Sequence, residues 1–291
     1  MSTLTIKHIT TYRYKNPVAF GEHRMMLRPL SSDDQSVIAA ELKITPTPTS
    51  IREIQDAFGN HVNIARFAGR AKELRFESAV RVKHTQADIR DFQIEEFART
   101  YPFNYRAQEL LALARYMQRN PMDVDRQVDE WARTVVSKES ATDTRELLIN
   151  LTHRINGGFK HVRRDEKGIQ TPGRTLELRS GSCRDLAMLM IDVVRSLGIA
   201  ARFVSGYLHI PSGDDESYAG GGNTHAWAQV HLPGPGWVDF DPSNGIIGNR
   251  DLVRVAAVPD PRDAIPLHGT WMGLATDYLG MKVEVAVSSA A

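Results

Sequence analysis

Cys183 is the only cysteine among 291 residues. It stands in the run RSGSCRDLAMLMIDVVRSLG, residues 179–198, where the pattern predicts the first residue of a helix. Ser182 supplies an N-cap, and Asp185 three residues on makes a variant of the capping box. Gly198 supplies the C-terminal stop. Leu186, Ala187, Met190, Val193, Val194 and Leu197 recur at helical spacing, so the thiol heads an apolar stripe. A helix N-terminus carries partial positive charge, which favours thiolate over thiol. Arg184 adds to that effect; Asp185 opposes it unless its charge is taken up in the cap. A lone buried cysteine is in most proteins an inert hydrophobe. A nucleophile needs, in addition, a base held close and oriented.

Of the ten histidines, most have ordinary explanations, such as surface positions in the first third or the helix tail at His153. His225 differs. It opens the strand HAWAQVHL directly after Gly220-Gly221-Gly222. His225, Trp227, Gln229 and His231 share one strand face, and Ala226, Ala228, Val230 and Leu232 form an apolar face expected to pack inward. The chain turns at Pro233-Gly234-Pro235-Gly236 and returns as WVDFD, with Trp237, Asp239 and Asp241 on one face. A turn that sets His231 against Trp237 sets Trp227 against Asp241. His225 is then diagonal to Asp241, about 7–8 Å away and within reach of its carboxylate. A slip of one residue would separate them. Asp239 has the same parity, so alternation does not choose between the two acids. A cysteine at a helix start, a histidine at a strand start and an aspartate on the next strand form a nucleophile–base–orienter set. Taken singly, His225 reads as a solvated strand end and Asp241 as a residue of the turn Asp-Pro-Ser-Asn.

The elements that must position these residues form an α+β pattern. Residues 1 to about 90 read as strands: TLTIKHITTYRY, HRMMLRPL, SVIAAELKITP, HVNIARFAG and ELRFESAVRVKH, split by Asn16-Pro17, Pro46-Thr47-Pro48 and Phe58-Gly59-Asn60. From about 105 to 157 the period becomes helical in AQELLALARYMQ, DVDRQVDEWARTVV and DTRELLINLTHRI. Asp123 and Thr142/Asp143 are caps, and Gly157-Gly158 is a stop. The block 159–178 reads as a charged loop with a turn at Pro172-Gly173. After the Cys183 helix the strands IAARFVSGYLHI, HAWAQVHL, GWVDFD and MKVEVAV follow. We expect an N-terminal antiparallel β domain over 1–92. A helical segment and the cysteine-bearing core, with its helix packed on an antiparallel sheet, are expected over 93–291. The sequence shows no internal repeat and no low-complexity tract.

Composition bounds the rest. With 42% hydrophobic residues, 24% charged residues and a formal net charge of +1, it offers no electrostatic case for nucleic acid or an anionic membrane surface. No apolar run is long enough to span a bilayer. The start, MSTLTIKHITTYRYK, does not read as a signal peptide. A single cysteine makes no internal disulfide framework, and we expect a reduced, cytoplasmic setting. One cysteine with scattered histidines shows no metal-ligand spacing. Asp214-Asp215-Glu216 is too short for a calcium loop. No cofactor or metal is expected, and the oligomeric state is not indicated.

Three motifs, GSCRDLA, RSLGIAARFVSGYL and THAWAQVHLPGPGWVDFDPSNG, resemble the bacterial transglutaminase-like cysteine protease family. The first 90 or so residues, with TYRY, LRP and DAFGN, resemble that family's N-terminal β domain. The resemblance implies a papain-like core with Cys183 as nucleophile, His225 as general base and acid, and Asp241 as the third member. It gives Asp185 a bracing role at the helix start. One departure is Phe159-Lys160-His161, where many relatives carry Phe-x-Tyr; this puts the oxyanion donors in question beyond the Cys183 backbone N–H. The implied reaction is acyl transfer through a thioester on a peptide or protein substrate, with water as acceptor. The alternatives are an amine acceptor, as in a transglutaminase, and a non-catalytic scaffold on the same fold. The segment PSGDDESYAGGGNT, leading into His225, is a candidate lid or a plain surface loop.

Overall fold

A computed structural model describes residues 2–86, 92–119, 126–136, 141–164, 166, 168–210, 219 and 221–289. The chain divides into two compact units that interleave along the sequence. The first takes Met1–Gln86, Ser205–His225 and Asp251–Ala291; the second takes Ala87–Val204 and Ala226–Arg250. The longer elements are β1 (Ser2–Met25), β2 (Gln35–Thr45), β3 (Ser50–Gln55), β4 (His61–Arg66), β5 (Arg70–His84), α1 (Ala107–Leu113), α2 (Gln127–Arg133), α3 (Thr144–Gly158), α4 (Pro172–Leu178) and α5 (Cys183–Ser196). They continue as β6 (Ala201–Leu208), β7 (His225–Leu232), β8 (Gly236–Asp241), β9 (Leu252–Val258), β10 (Leu267–Met272) and β11 (Tyr278–Ser289).

In the first unit a sheet runs β2-β5-β1-β4-β3, and β10 and β11 also pair with β1. The strand β1 runs unbroken through Asn16-Pro17, where the sequence pattern splits it. The interruption is absorbed as a register shift against β5 between Arg13 and Val18. Alternation along β1 buries Leu4 and Ile6 against Val80 and Val82, and Tyr14, Val18 and Phe20 against Leu74 and Phe76. The strand β3 has no counterpart in the sequence reading, because SIREIQ is exposed along most of its length and carries no apolar face.

The C-terminal strands cross the division expected at 92/93 and belong to the first compact unit. The MKVEVAV strand, expected in the core sheet, lies in β11 and pairs antiparallel with β1 from Leu4↔Ser289 to Tyr14↔Tyr278. Its Val285 and Val287 pack on the Leu4–Ile6 cluster. Period-two alternation marks a strand but does not name its partner.

In the second unit α5 is buried on every side from Asp185 to Arg195, with α2, α3 and α4 packed against it. The apolar stripe read from the sequence is therefore too narrow: Met188, Leu189 and Ile191 are also buried. Two charged side chains of this helix are satisfied by neighbouring segments. Asp192 accepts from the Arg119 guanidinium at 3.2 Å, and Arg195 donates to the carbonyls of Ala201 and Gln118, each at 2.9 Å. Gly198 sits at φ +77° just past the helix, as the stop requires. The helical stretch 107–118 is α1 followed by a 3₁₀ turn over Ala114–Met117. The Asp123 cap lies outside the described residues, whereas Asp143 caps α3 by accepting the Glu146 N–H at 2.9 Å.

The block 159–178 is not all loop. Thr171 accepts the Arg174 N–H at 3.3 Å and Pro172 stands at the first turn of α4, so the Pro-Gly pair starts a helix instead of making a turn. A second sheet has the order Ile246–Ile247, β8, β7, β6, β9, and β6 passes from the second unit into the first between Val204 and Ser205. Among the described residues no helix is long and apolar enough to cross a membrane.

Candidate active site

Cys183 is the first residue of α5 and its side chain is half-buried. The helix start is fixed by Asp185, which is 0% exposed. One carboxylate oxygen accepts the Ser182 N–H and hydroxyl, each at 2.8 Å. The other accepts the Gln170 N–H at 2.7 Å. Arg164 Nη1 donates to both, at 2.8 and 2.9 Å. Asp185 therefore does brace the helix start. Gly181 allows this close approach, since a Cβ there would sit 2.7 Å from the Asp185 Cβ.

The segment upstream of the cysteine is held beside it in the chain. Lys160–His161 pairs parallel with Ser180–Gly181, so His161 is in register with Gly181, two residues before Cys183. The Lys160 N–H donates to the Arg179 carbonyl and the Val162 N–H to the Gly181 carbonyl, each at 2.9 Å. Phe159 is buried, with Trp131 edge-on at 6.0 Å and the Arg179 guanidinium 5.1 Å over its ring. The Phe-Lys-His departure thus lies on the strand flanking the nucleophile run.

The β7–β8 hairpin has the register read from the sequence: His231 opposite Trp237, Gln229 opposite Asp239 and Ala228 opposite Phe240. Continued by one residue, Trp227 stands opposite Asp241. His225 opens β7 and is 1% exposed. Asp241 closes β8 and is 0% exposed. Its two oxygens accept the Ser243 N–H at 2.9 Å and the Asn244 side-chain amide at 2.7 Å. Asp239, also buried, accepts the Trp227 indole N–H at 2.6 Å.

Both faces of β7 are buried, not only the alanine–valine face. Arg202 donates to Gln229 Oε1 at 2.8 Å and stacks over Trp237 at 4.2 Å. Burial lowers the His231 pKa. Tyr105 joins this region by donating to the His231 carbonyl at 2.7 Å and accepting the Ala200 N–H at 3.1 Å. Neither Tyr105 nor Arg164 is marked by the sequence pattern. Among the described residues no group of three or more His, Cys, Asp or Glu side chains is placed to hold a metal ion. Most of the candidate lid, residues 211–218 and 220, lies outside the described residues.

A helix opened by a cysteine, followed by an antiparallel hairpin carrying histidine and aspartate, defines a transglutaminase-like core. Comparison with known proteins agrees. Residues 129–242 match the transglutaminase-like superfamily, and residues 4–83 match the bacterial transglutaminase-like N-terminal region. The chain belongs to this family. The uncharacterized Mycobacterium tuberculosis protein Rv2569c is 30% identical over 279 residues, covering 91% of this chain and 86% of that protein. The uncharacterized Mycobacterium leprae protein ML0607 is 26% identical over 301 residues, covering 98% and 99%. A crystal structure of a candidate cysteine protease from Cytophaga hutchinsonii shares the fold, with a TM-score of 0.72 at 19% identity over all of this chain and 92% of that one.

Proposed function

We propose that this protein is a cysteine amidohydrolase acting on peptide or glutamine-type amide bonds, with Cys183, His225 and Asp241 as its triad. The observation that carries this reading is the position of Cys183 at the first residue of α5. There the positive end of the helix dipole favours thiolate. The hairpin register supports Asp241 as the partner of His225, because two further residues bring His225 diagonal to it.

In this mechanism the Cys183 thiolate attacks the carbonyl carbon, and the oxyanion is met by the Cys183 backbone N–H. The C–N bond breaks, and protonated His225 gives its proton to the leaving amine. His225 then takes a proton from water, the hydroxide attacks the thioester, and the acid leaves with return of the thiolate. Asp241 orients the imidazole and stabilises its charged form.

The test is hydrolysis of a glutamine-containing peptide library by the parent and by Cys183→Ala, read by mass spectrometry. Turnover lost in the variant, with the fold intact by circular dichroism, supports the reading; retained turnover overturns it. Incorporation of a labelled primary amine in the same assay would make the acceptor an amine and the protein a transglutaminase.

A further inference from the structure

Asp185 presents an electrostatic problem for a nucleophile two residues away. A buried carboxylate beside a thiol disfavours the thiolate, and this one is 0% exposed. Neutral donors at Ser182 and Gln170 satisfy its oxygens but do not cancel its charge. The cation that does so is Arg164, whose side chain is 15% exposed and spans both oxygens. Its other carboxylate neighbour, Glu166, is 3.6 Å away and 73% exposed, a contact that water screens.

Other charged or titratable groups near this helix start in the chain are Arg184 on α5, Arg179 at the end of α4, and Lys160 and His161 on the flanking strand. Arg163 precedes Arg164 in the chain, and His225 and Asp241 are the proposed triad partners.

We propose that Arg164 is a positioning residue of the active site, holding Asp185 as a neutral ion pair so that the brace of the helix start does not oppose ionisation of Cys183. This rests on the reading of Cys183 as the nucleophile. In this role Arg164 acts through Asp185.

The experiment is the rate of iodoacetamide alkylation against pH, followed by intact-mass spectrometry on the full chain; the single cysteine makes the readout unambiguous. Four proteins are compared: the parent, Arg164→Gln, Asp185→Asn and the double variant. Arg164→Gln leaves the buried carboxylate unbalanced, so its midpoint moves up and labelling near pH 6 slows on the order of tenfold. Asp185→Asn leaves the guanidinium unbalanced, so its midpoint moves below the parent's. The double variant returns to within about threefold of the parent, because both charges are gone.

A purely structural brace would slow all three variants alike, and that pattern overturns the proposal. So does an Arg164→Gln profile identical to the parent's. Should Arg164→Gln fail to fold, the downward shift of Asp185→Asn and its return in the double variant carry the same test. A parent that titrates as an ordinary thiol instead overturns the nucleophile reading, and Arg164's role with it.

Discussion

The two acids of β8 are separable by experiment, because the structure gives them different partners. Asp239 accepts the Trp227 indole N–H at 2.6 Å, and both side chains are buried. A buried hydrogen bond to a charged group contributes about 1.5–3 kcal/mol and a neutral one about 0.5–1.5. Asp239→Asn keeps a carbonyl oxygen for the indole, so it costs the difference, about 1 kcal/mol. That corresponds to a fall in Tm of about 2–4 °C for a domain of 150–250 residues. The thiol should label at pH 6 as in the parent. Asp241→Asn differs on both counts. The Asn244 amide donates to one Asp241 oxygen at 2.7 Å, and an amide nitrogen there would set donor against donor, costing about 1–3 kcal/mol. If Asp241 orients His225, turnover should also fall by about 10²–10⁴. The assay is paired: thermal unfolding, and low-pH alkylation with peptide hydrolysis. Loss of labelling and turnover in Asp239→Asn equal to that in Asp241→Asn would move the orienting role to Asp239. Full activity in Asp241→Asn would remove it from the triad.

Three further outcomes follow from local chemistry. His8 is buried between the Tyr207 and Thr10 hydroxyls, at 3.0 and 2.9 Å, and burial pushes its pKa from 6.5 down to about 4. The unfolded chain takes up a proton below about 6.5 that the folded chain refuses. Stability is therefore complete above that pH, falls by on the order of 3 kcal/mol as pH drops to about 4, and is flat below. Urea titrations of the parent and His8→Gln should show that this stretch of the acid limb flattens in the variant, and an unchanged limb would refute the assignment. Asn60 is fully buried; its side-chain oxygen accepts the Ala257 N–H at 2.9 Å, and its amide donates to Asp56 at 2.9 Å. Asn60→Ala leaves a buried N–H without its acceptor and should cost about 1–3 kcal/mol in urea melts, with alkylation of Cys183 unchanged. Gly181→Ala would place a Cβ 2.7 Å from the Asp185 Cβ, which forces the helix start to shift. It should lower Tm and slow Cys183 labelling together; a variant that loses neither would show that the approach is slack.

The helix and hairpin of the candidate site were legible because their determinants are local. Ser182, Asp185 and Gly198 mark the ends of α5 from within the helix and its immediate flanks, and Pro233-Gly234-Pro235 fixes the register that sets His231 against Trp237. The choice between Asp239 and Asp241 was not legible, since two acids of equal parity differ only in what their side chains reach. Arg164 was hidden for a related reason. It lies in RRDEKG, which reads as a solvated charge run, and only its bond to a carboxylate 21 positions on shows otherwise. The width of the buried surface on α5 escaped as well, because Met188, Leu189 and Ile191 are covered by α2, α3 and α4, and no periodicity within α5 reports how many neighbours it has.

Strand partners were the least legible, and the length of β1 shows why. Its 24 residues give two long edges. The strand β5 covers one from Ser2 to Arg13. An open edge of that length on the other side would be a template for pairing with other chains. It is covered from Leu4 to Tyr14 by β11 and from Ala19 to Met25 by β10, both more than 200 residues away in sequence. The C-terminal strands are therefore recruited by the backbone groups β1 leaves unpaired, and the valines of β11 add their burial to that pairing. A boundary drawn along the sequence cuts between those strands and the one edge that holds them. Deleting residues 266–291 should for this reason destabilise the N-terminal sheet rather than trim a dispensable tail. Retention of the parent's cooperative unfolding and β-sheet circular dichroism in that truncation would refute the pairing argument.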